Sequence, residues 1–192
     1  MYRGILMRNN SSLLDSVNRY GLISRIFHWS MAVLFILQFG IAITLYLSGE
    51  GALSDALWPL HQQVGFTLFL LAFLRGIWGI LNIGRRHHTP GLSGKLAAAG
   101  HLVIYALMLL VPLLALMRAA GDQYGFSFLG VEIFTPAVVE NTALTAPGNA
   151  AHSLLGWVLL AAIAGHVVMA MLHHFVLGDD TFRRMIGQES KR

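Results

Sequence analysis

The sequence predicts an all-α integral membrane protein, a four-helix bundle with both termini cytoplasmic. Of its 192 residues, 56% are hydrophobic and only 11% are charged, whereas a soluble domain carries about 25% charged residues. Four apolar stretches cause this deficit, at residues 22–47, 57–83, 96–117 and 150–177. Each provides the ~20 residues with which a helix crosses about 30 Å of hydrocarbon.

The basic residues predict the orientation of the bundle. They lie at both ends of the chain and between the second and third stretches, at Arg3, Arg8, Arg19, Arg25, Arg85, Arg86, Lys95, Arg183, Arg184, Lys191 and Arg192. The other two connections contain one basic residue, Arg118, and five acidic ones, namely Glu50, Asp55, Asp122, Glu132 and Glu140. Because positive residues are retained on the cytoplasmic side, both termini are expected there. The bases are divided among three segments, so a nucleic-acid partner is not expected.

The chain divides into a polar N-terminal segment (1–18), a transmembrane domain (19–178) and a cytoplasmic tail (179–192). The first segment has no continuous apolar core before a cleavage site, so it is not expected to be a removed signal peptide. In the longest connection, GFSFLGVEIFTP is expected to cover the outer end of the bundle. In the tail, DDTFRRMIG predicts a short amphipathic helix on the inner surface.

Histidines within the apolar stretches predict a cofactor site. His152 and His166 are fourteen positions apart, which gives about 21 Å of rise and about 1400° of rotation, so both lie on one helix face. The fourth helix enters from the outside. His152 therefore lies level with His61, at the outer start of the second helix, and His166 lies level with His28, at the inner start of the first.

Two imidazoles at one depth on different helices suit the axial positions of a haem iron in an apolar bundle core. We therefore expect His28 and His166 to bind an inner haem iron, and His61 and His152 to bind an outer one. The bound haems would be six-coordinate, which favours electron transfer over oxygen binding.

Residues near these pairs agree with a haem site. Gly65 and Gly156 each follow an outer histidine by four positions and would leave room for the macrocycle. Arg75 faces the core fourteen positions after His61, and a buried arginine requires an anion such as a haem propionate. His101, at the inner start of the third helix, either contacts a propionate or caps its own helix.

Other chemistries fit these residues less well. The absence of cysteine excludes thiolate-bound clusters and covalent haem attachment through CxxCH. Zinc would require three or four ligands that converge on one point, rather than separated pairs. A haem-free transporter or proton channel that uses the histidines stays open as an alternative.

The chain resembles the bacterial cytochrome b561 family in an ordered set of stretches across residues 18–187. These stretches are RYGLISRIFHW, LHQQVG, GHLVIYALML, AHSLLGW, GHVVMAMLHHF and DDTFRRMIG. The resemblance implies a multi-pass protein of the bacterial inner membrane with two non-covalent b-type haems. The family's ligand histidines fall on His28, His61, His152 and His166.

The resemblance also implies electron exchange with ubiquinone. One branch of the family is a superoxide oxidase, which takes electrons from superoxide at the periplasmic side and reduces ubiquinone at the cytoplasmic side. In that branch a histidine at the position of His173 lies beside the quinone, although from the residues alone His173 and His174 are equally well explained as interfacial. The net acidic outer connections, with Arg118 as their single base, do not favour an anionic donor.

We therefore expect a membrane electron carrier between a periplasmic donor and ubiquinone, in contact with membrane lipid. Whether the protein is itself an enzyme, as a superoxide:ubiquinone oxidoreductase, is left open at this point. The alternative keeps the haems but makes the chain an anchor subunit that connects a partner dehydrogenase or hydrogenase to quinone.

Overall fold

The computed structural model describes residues 13–86 and 91–189, and four long helices account for most of them. The helices are α1 (Leu22–Ser48), α2 (Ala52–Leu81), α3 (Gly91–Gly121) and α4 (Thr142–Phe175). Within the described residues these are the helices long and apolar enough to cross a membrane. The predicted all-α membrane bundle is confirmed.

Three of the helices begin earlier than the apolar stretches suggested. α2 begins at Ala52, α3 at Gly91 and α4 at Thr142, whereas the hydropathy placed their starts at 57, 96 and 150. Glycine, proline and polar residues indicated a loop before each stretch, but α4 includes Pro147 in its second turn. The side chain of Asn141 accepts the Ala143 N–H at 3.1 Å and so caps this extended start.

The helices pack as two hairpins that face each other. α1 packs on α2 and α3 packs on α4, and the contact between α2 and α3 joins the two hairpins. Among the described residues, α4 approaches the backbones of α1 and α2 at few positions. A gap therefore separates α4 from the first hairpin, and side chains project into it.

A layer of buried apolar side chains from all four helices packs inside the bundle. Its members are Met31, Leu68, Ala72, Leu107, Met108, Val111 and Leu159. On the outside, by contrast, large apolar residues are exposed, such as Ile36 at 76% and Ile80 at 72%. Such a surface is not found on soluble monomers, and it matches a bundle surrounded by lipid.

A small β-hairpin follows α3, in the segment expected to cover one end of the bundle. Its strands, β1 (Phe126–Phe128) and β2 (Val131–Phe134), pair antiparallel. Leu129 and Gly130 join them with φ angles of 48° and 83°, the left-handed values that a tight two-residue hairpin turn requires. We call this the hairpin end of the bundle.

The hairpin is attached to α2. The side chain of Gln63 donates to the Ser127 carbonyl at 2.8 Å and accepts the Leu129 N–H at 3.1 Å. The Phe66 ring lies 5.3 Å from that of Phe126 and 4.8 Å from that of Phe128. The hairpin is therefore a fixed cover rather than a free loop.

At the opposite end, which we call the termini end, the start of α1 contacts the segment that follows α4. A short helix, α5 (Thr181–Met185), forms where the amphipathic helix was expected. Arg25 donates to the Ile186 carbonyl at 3.0 Å, and Trp29 donates to that of Met185 at 3.4 Å. Buried Asp15 accepts the side chain of Arg86 at 2.8 Å. Arg3, Arg8, Lys191 and Arg192, used for the orientation, lie outside the described residues.

Candidate functional site

The histidine pair at the hairpin end joins α2 to α4. The ring centres of His61 and His152 are 6.2 Å apart, and their planes are inclined at 83°. An imidazole nitrogen lies about 2.0 Å from a bound metal and about 1.1 Å from its own ring centre, so two axial rings have centres about 6 Å apart. The separation of His61 and His152 therefore fits one metal ion between the two rings.

The pair at the termini end joins α1 to α4 with almost the same spacing. The ring centres of His28 and His166 are 6.3 Å apart, with planes inclined at 68°. His101 of α3 lies close by, with its ring centre 5.1 Å from that of His166. The structure thus brings together the residues that the sequence assigned to each level.

The ligand count also distinguishes the candidate metals. Across residues 13–86 and 91–189, no three His, Asp or Glu side chains are placed to hold one ion. Zinc is bound by three or four protein ligands, whereas a haem iron takes its four equatorial ligands from the porphyrin and only axial ones from the protein. Two separate pairs match the haem pattern.

A cavity of about 500 Å³ opens beside His61 and His152. This volume lies in the range of small-molecule and cofactor pockets. Its lining is largely apolar and includes Phe39, Phe66, Leu68, Met108, Pro112 and Trp157. Apolar walls with two inward imidazoles suit a flat macrocycle.

The two glycines beside this cavity differ in role. A Cβ added to Gly156, which lines the cavity, would meet nothing within 4 Å, so this glycine leaves the space open. A Cβ at Gly65 would lie 3.1 Å from the amide nitrogen of Gln38. Gly65 lines the cavity as well, and the absence of a Cβ there also makes room for the Gln38 side chain.

His152 is oriented by the backbone of α3. Its Nδ1 lies 2.9 Å from the carbonyl oxygen of Val111, to which Nδ1–H donates. This hydrogen bond leaves Nε2 without its proton, as a metal ligand requires. Metal-binding histidines commonly donate their second ring nitrogen to a carbonyl in this way.

Arg75 lies beside the other pair. Its Nη2 is 3.3 Å from Nδ1 of His28, and its guanidinium lies 5.4 Å from the ring centre of Tyr105. Among the described residues, Arg75 has no carboxylate within salt-bridge distance. A half-buried cation in an apolar span requires an anion, so this position suits the carboxylate of a bound ligand.

His101 combines both roles that the sequence left open. Its Nδ1–H donates to the Ala97 carbonyl at 2.7 Å, within its own helix. The ring also stands beside His166, where its second nitrogen can contact a bound group.

His173 lies where α4 ends and the chain reverses. Gly178 has a φ of 63°, a left-handed conformation that favours glycine, and the reversal brings Asp179 back to His173. The Nδ1–H of His173 donates to Oδ2 of Asp179 at 2.5 Å. Burial opposes ionisation of Asp179, but hydrogen bonds from His173 and Thr181 outweigh it and keep the pKa of Asp179 below its ordinary value. His174 instead packs on Phe182, with ring centres 5.0 Å apart.

The sequence reasoning missed one residue of the hairpin-end site. Gln38 of α1 places its amide nitrogen 3.2 Å and 3.3 Å from the two ring nitrogens of His61, and 3.1 Å from the His61 carbonyl oxygen. The sequence did contain an indication of this role, because a glutamine within an apolar span indicates a polar contact inside the bundle. Its target could not be deduced, because the contact crosses from α1 to α2.

A four-helix membrane bundle with two histidine pairs across its core, one of them beside an apolar cavity, is typical of a membrane cytochrome b. The model of the prokaryotic cytochrome b561 family matches residues 19–188, and the chain belongs to that family. It is therefore a multi-pass membrane protein that takes part in electron transfer, and membership of this family implies that it binds b-type haem.

Named relatives match most of the chain. Cytochrome b561 homolog 2 of Escherichia coli (strain K12) is 27% identical over 183 residues, which cover 93% of this chain and 97% of the relative. A probable superoxide oxidase of Yersinia pestis is 29% identical over 169 residues, 83% of this chain and 90% of the relative. Cytochrome b561 homolog 1 of Escherichia coli (strain K12) is 29% identical over 136 residues, which cover 66% of this chain and 72% of the relative.

Proposed function

We propose that this protein transfers electrons across the bacterial inner membrane, from a donor at the hairpin end to ubiquinone at the termini end, through two b-type haems. His61 and His152 would hold one haem, and His28 and His166 the other. The observation that carries the proposal is the near-equal spacing of the two pairs, 6.2 Å and 6.3 Å, across the gap beside α4.

The residues around each pair support outer-sphere electron transfer. A bound haem would supply a one-electron carrier whose potential depends on its axial ligands, burial and hydrogen bonds. With two imidazoles at each level, each haem would be held by the protein on both sides, which favours electron transfer over substrate binding. Leu159, which belongs to the buried layer, is seven positions from both His152 and His166, and such apolar packing would keep water out of the path between the pairs.

At the termini end, Arg75 and His101 would bind the propionates of the haem held by His28 and His166. Arg75 supplies a cation that has no carboxylate partner among the described residues. A guanidinium can hold a carboxylate by two parallel hydrogen bonds. Such a contact would fix the haem in the gap as well as neutralise its charge.

Ubiquinone would be reduced beside His173. Reduction to ubiquinol takes two electrons and two protons, and an imidazole can deliver a proton near neutral pH. The ionised carboxylate of Asp179 accepts Nδ1–H of His173. The opposite nitrogen, Nε2, is then free to take up a proton from the aqueous side. The imidazolium so formed, held by the Asp179 carboxylate, would donate Nε2–H to a quinone oxygen and transfer that proton as the quinone is reduced.

The charge distribution supports the proposed orientation, with the termini end cytoplasmic. Basic residues gather at the termini end, where Arg25, Arg85, Arg86, Arg183 and Arg184 lie among the described residues. The hairpin end is mainly acidic. Positive residues remain on the cytoplasmic side of bacterial inner-membrane proteins.

At the hairpin end, an aromatic contact leads from the surface to His61. The Trp58 ring stacks on His61 with centres 6.0 Å apart and planes inclined at 14°. Trp58 is 44% exposed, and Arg118 lies 5.7 Å from its ring centre. A donor that reaches Trp58 would therefore be in contact with the side chain that packs on a haem ligand.

Superoxide is a candidate for this donor. The support is the relative in Yersinia pestis, which is described as a probable superoxide oxidase, together with the cationic Arg118 beside Trp58. Glu50 and Asp55 line the surface depression next to Trp58 and oppose the approach of an anion. Superoxide added to the purified protein should then reduce the haems and yield ubiquinol. If it does not, the donor is a different molecule.

The haem assignment is tested by spectroscopy of the detergent-purified chain. Pyridine extraction should give two haems per chain, and dithionite should produce a sharp α-band. His28→Ala and His166→Ala should lose the same haem, whereas His61→Ala and His152→Ala should lose the other. His173→Ala is the matched control, since it should keep both haems and lose quinone reduction. A haem-free protein, or loss of different haems within one pair, would overturn the proposal.

A further inference from the structure

Gln38 contacts His61, a predicted haem ligand, and the orientation of its amide is expected to change when His61 binds iron. Its amide nitrogen is within 3.3 Å of both ring nitrogens of His61 and donates to the His61 carbonyl oxygen at 3.1 Å. Its amide oxygen, Oε1, is buried and has no hydrogen-bond partner among the described residues. The side chain thus presents a donor to His61 and leaves an acceptor unused.

The two distances are nearly equal, so the amide nitrogen lies over the face of the His61 ring, outside the plane in which the ring lone pair and N–H point. A neutral imidazole has one N–H and one lone pair. When iron takes the lone pair of one ring nitrogen, the proton is carried by the other. That N–H then requires an acceptor near the plane of the ring.

The unpaired Oε1 of Gln38 is the acceptor within reach of His61. The last torsion of the Gln38 side chain is broad, so the amide can turn its oxygen toward the ring as the His61 ring turns one nitrogen toward the iron. Oε1 would then accept the ring N–H of His61. Because a buried acceptor without a partner is unfavourable, this rearrangement is favoured.

The partner ligand already has such an acceptor. His152 donates Nδ1–H to the Val111 carbonyl. At the termini end, by contrast, His28 faces the guanidinium of Arg75, which only donates. The hairpin-end pair therefore has an acceptor within reach of both of its rings.

We infer that Gln38 is a positioning residue for the hairpin-end haem: when iron binds one nitrogen of His61, the amide oxygen of Gln38 accepts the proton of the other. The inference rests on the proposed haem at this pair. An acceptor on the second ring nitrogen makes an imidazole a stronger electron donor, which favours ferric over ferrous iron. Gln38 would therefore lower the potential of this haem.

The test is a redox titration of the purified, haem-loaded protein with each haem followed by its optical spectrum. Gln38→Leu removes the acceptor and should raise the potential of one haem while sparing the other. A tenfold change in the preference for ferric iron is expected, which corresponds to about 59 mV for one electron. Haem affinity at this site should fall about 10–100-fold.

Gln38→Glu is the second variant, because it keeps an acceptor oxygen and should leave the potential unchanged or lower it. If Gln38→Leu does not retain the haem, the direction in which Gln38→Glu shifts the haem potential still tests the inference. Thr44→Val is the matched control: Thr44 lies on α1, and its hydroxyl donates to the Gly40 carbonyl of its own helix at 2.9 Å.

The outcomes separate this inference from the proposed function. Wild-type protein without haem would overturn the function itself. Two haems in the wild type, with unchanged potentials in Gln38→Leu, would overturn only the role of Gln38. A rise in potential in Gln38→Glu would also overturn it, since an acceptor cannot act in that direction.

Discussion

Nδ1–H of His173 and Oδ2 of Asp179 form a 2.5 Å hydrogen bond across the chain reversal that ends α4. The bond fixes which ring nitrogen of His173 holds a proton and which is left for a ligand. It thereby connects a surface carboxylate to the residue that we place at the quinone site.

We predict that Asp179→Asn lowers ubiquinone reduction by about tenfold without loss of haem, because the ring of His173 is no longer held in one tautomer. The rate of ubiquinol formation measures the effect, and the haem spectrum serves as the control. An unchanged rate with intact haem would show that Asp179 does not orient His173.

The same carboxylate predicts a pH dependence of stability. The pKa of Asp179 in the folded chain lies below its ordinary value of 3.8, so the contact stabilises the fold above that value and is lost as pH falls through the lowered pKa. The contribution is below about 1 kcal/mol, because the carboxylate is partly exposed. Thermal unfolding of wild type and Asp179→Asn should differ at pH 6 and converge in acid. If the stabilities of the two proteins differed more in acid than at pH 6, this direction of the pH dependence would be contradicted.

Gly156→Leu should abolish the haem at the hairpin end. The new side chain would project into the cavity, where a Cβ now meets nothing within 4 Å, and a macrocycle could not share that volume. Haem per chain should fall from two to one. Gly165→Leu on the same helix is the control, since Gly165 is exposed and its Cβ is equally free. Two haems in Gly156→Leu would place the haem elsewhere.

Arg75→Gln should weaken the haem at the termini end by roughly 10–100-fold, because a hydrogen bond to a charged group is worth about 1.5–3 kcal/mol. Loss of a nearby cation should also lower the potential of that haem, since positive charge favours the reduced state. Haem retention during detergent washing and a redox titration measure both effects. Arg85→Gln, at the exposed surface of the same end, should change neither, and an equal response of both variants would refute a direct contact.

Gln63→Ala should loosen the β-hairpin that covers the cavity. It removes the two hydrogen bonds to Ser127 and Leu129, each worth about 1 kcal/mol. Amide exchange in residues 126–134 should become faster, while exchange in α1 stays unchanged. Equal protection in the variant and the wild type would mean that the aromatic contacts with Phe66 are sufficient.

Helical geometry made much of this architecture predictable. The rise of about 1.5 Å per residue places His152 and His166 at two depths of one face, and the structure places each ring about 6 Å from the histidine expected at its level. The helix starts were missed because Gly91 and Pro147 are typical of loops. At the start of α4, the Asn141 cap supports a helix instead.

Individual contacts between helices could not be predicted from the sequence. The Gln38–His61 contact depends on how α1 and α2 are rotated against each other, and hydropathy does not determine that rotation. The His152–Val111 bond depends on which carbonyl of α3 faces the ring. The chain reversal at Gly178 brings Asp179 to His173.

A structure of the haem-loaded protein tests the central claim most directly. The account predicts two flat tetrapyrrole densities, one between His28 and His166 and one between His61 and His152, with each iron bonded to both rings. A map in which these rings point away from each other, or in which no macrocycle lies between them, would contradict it.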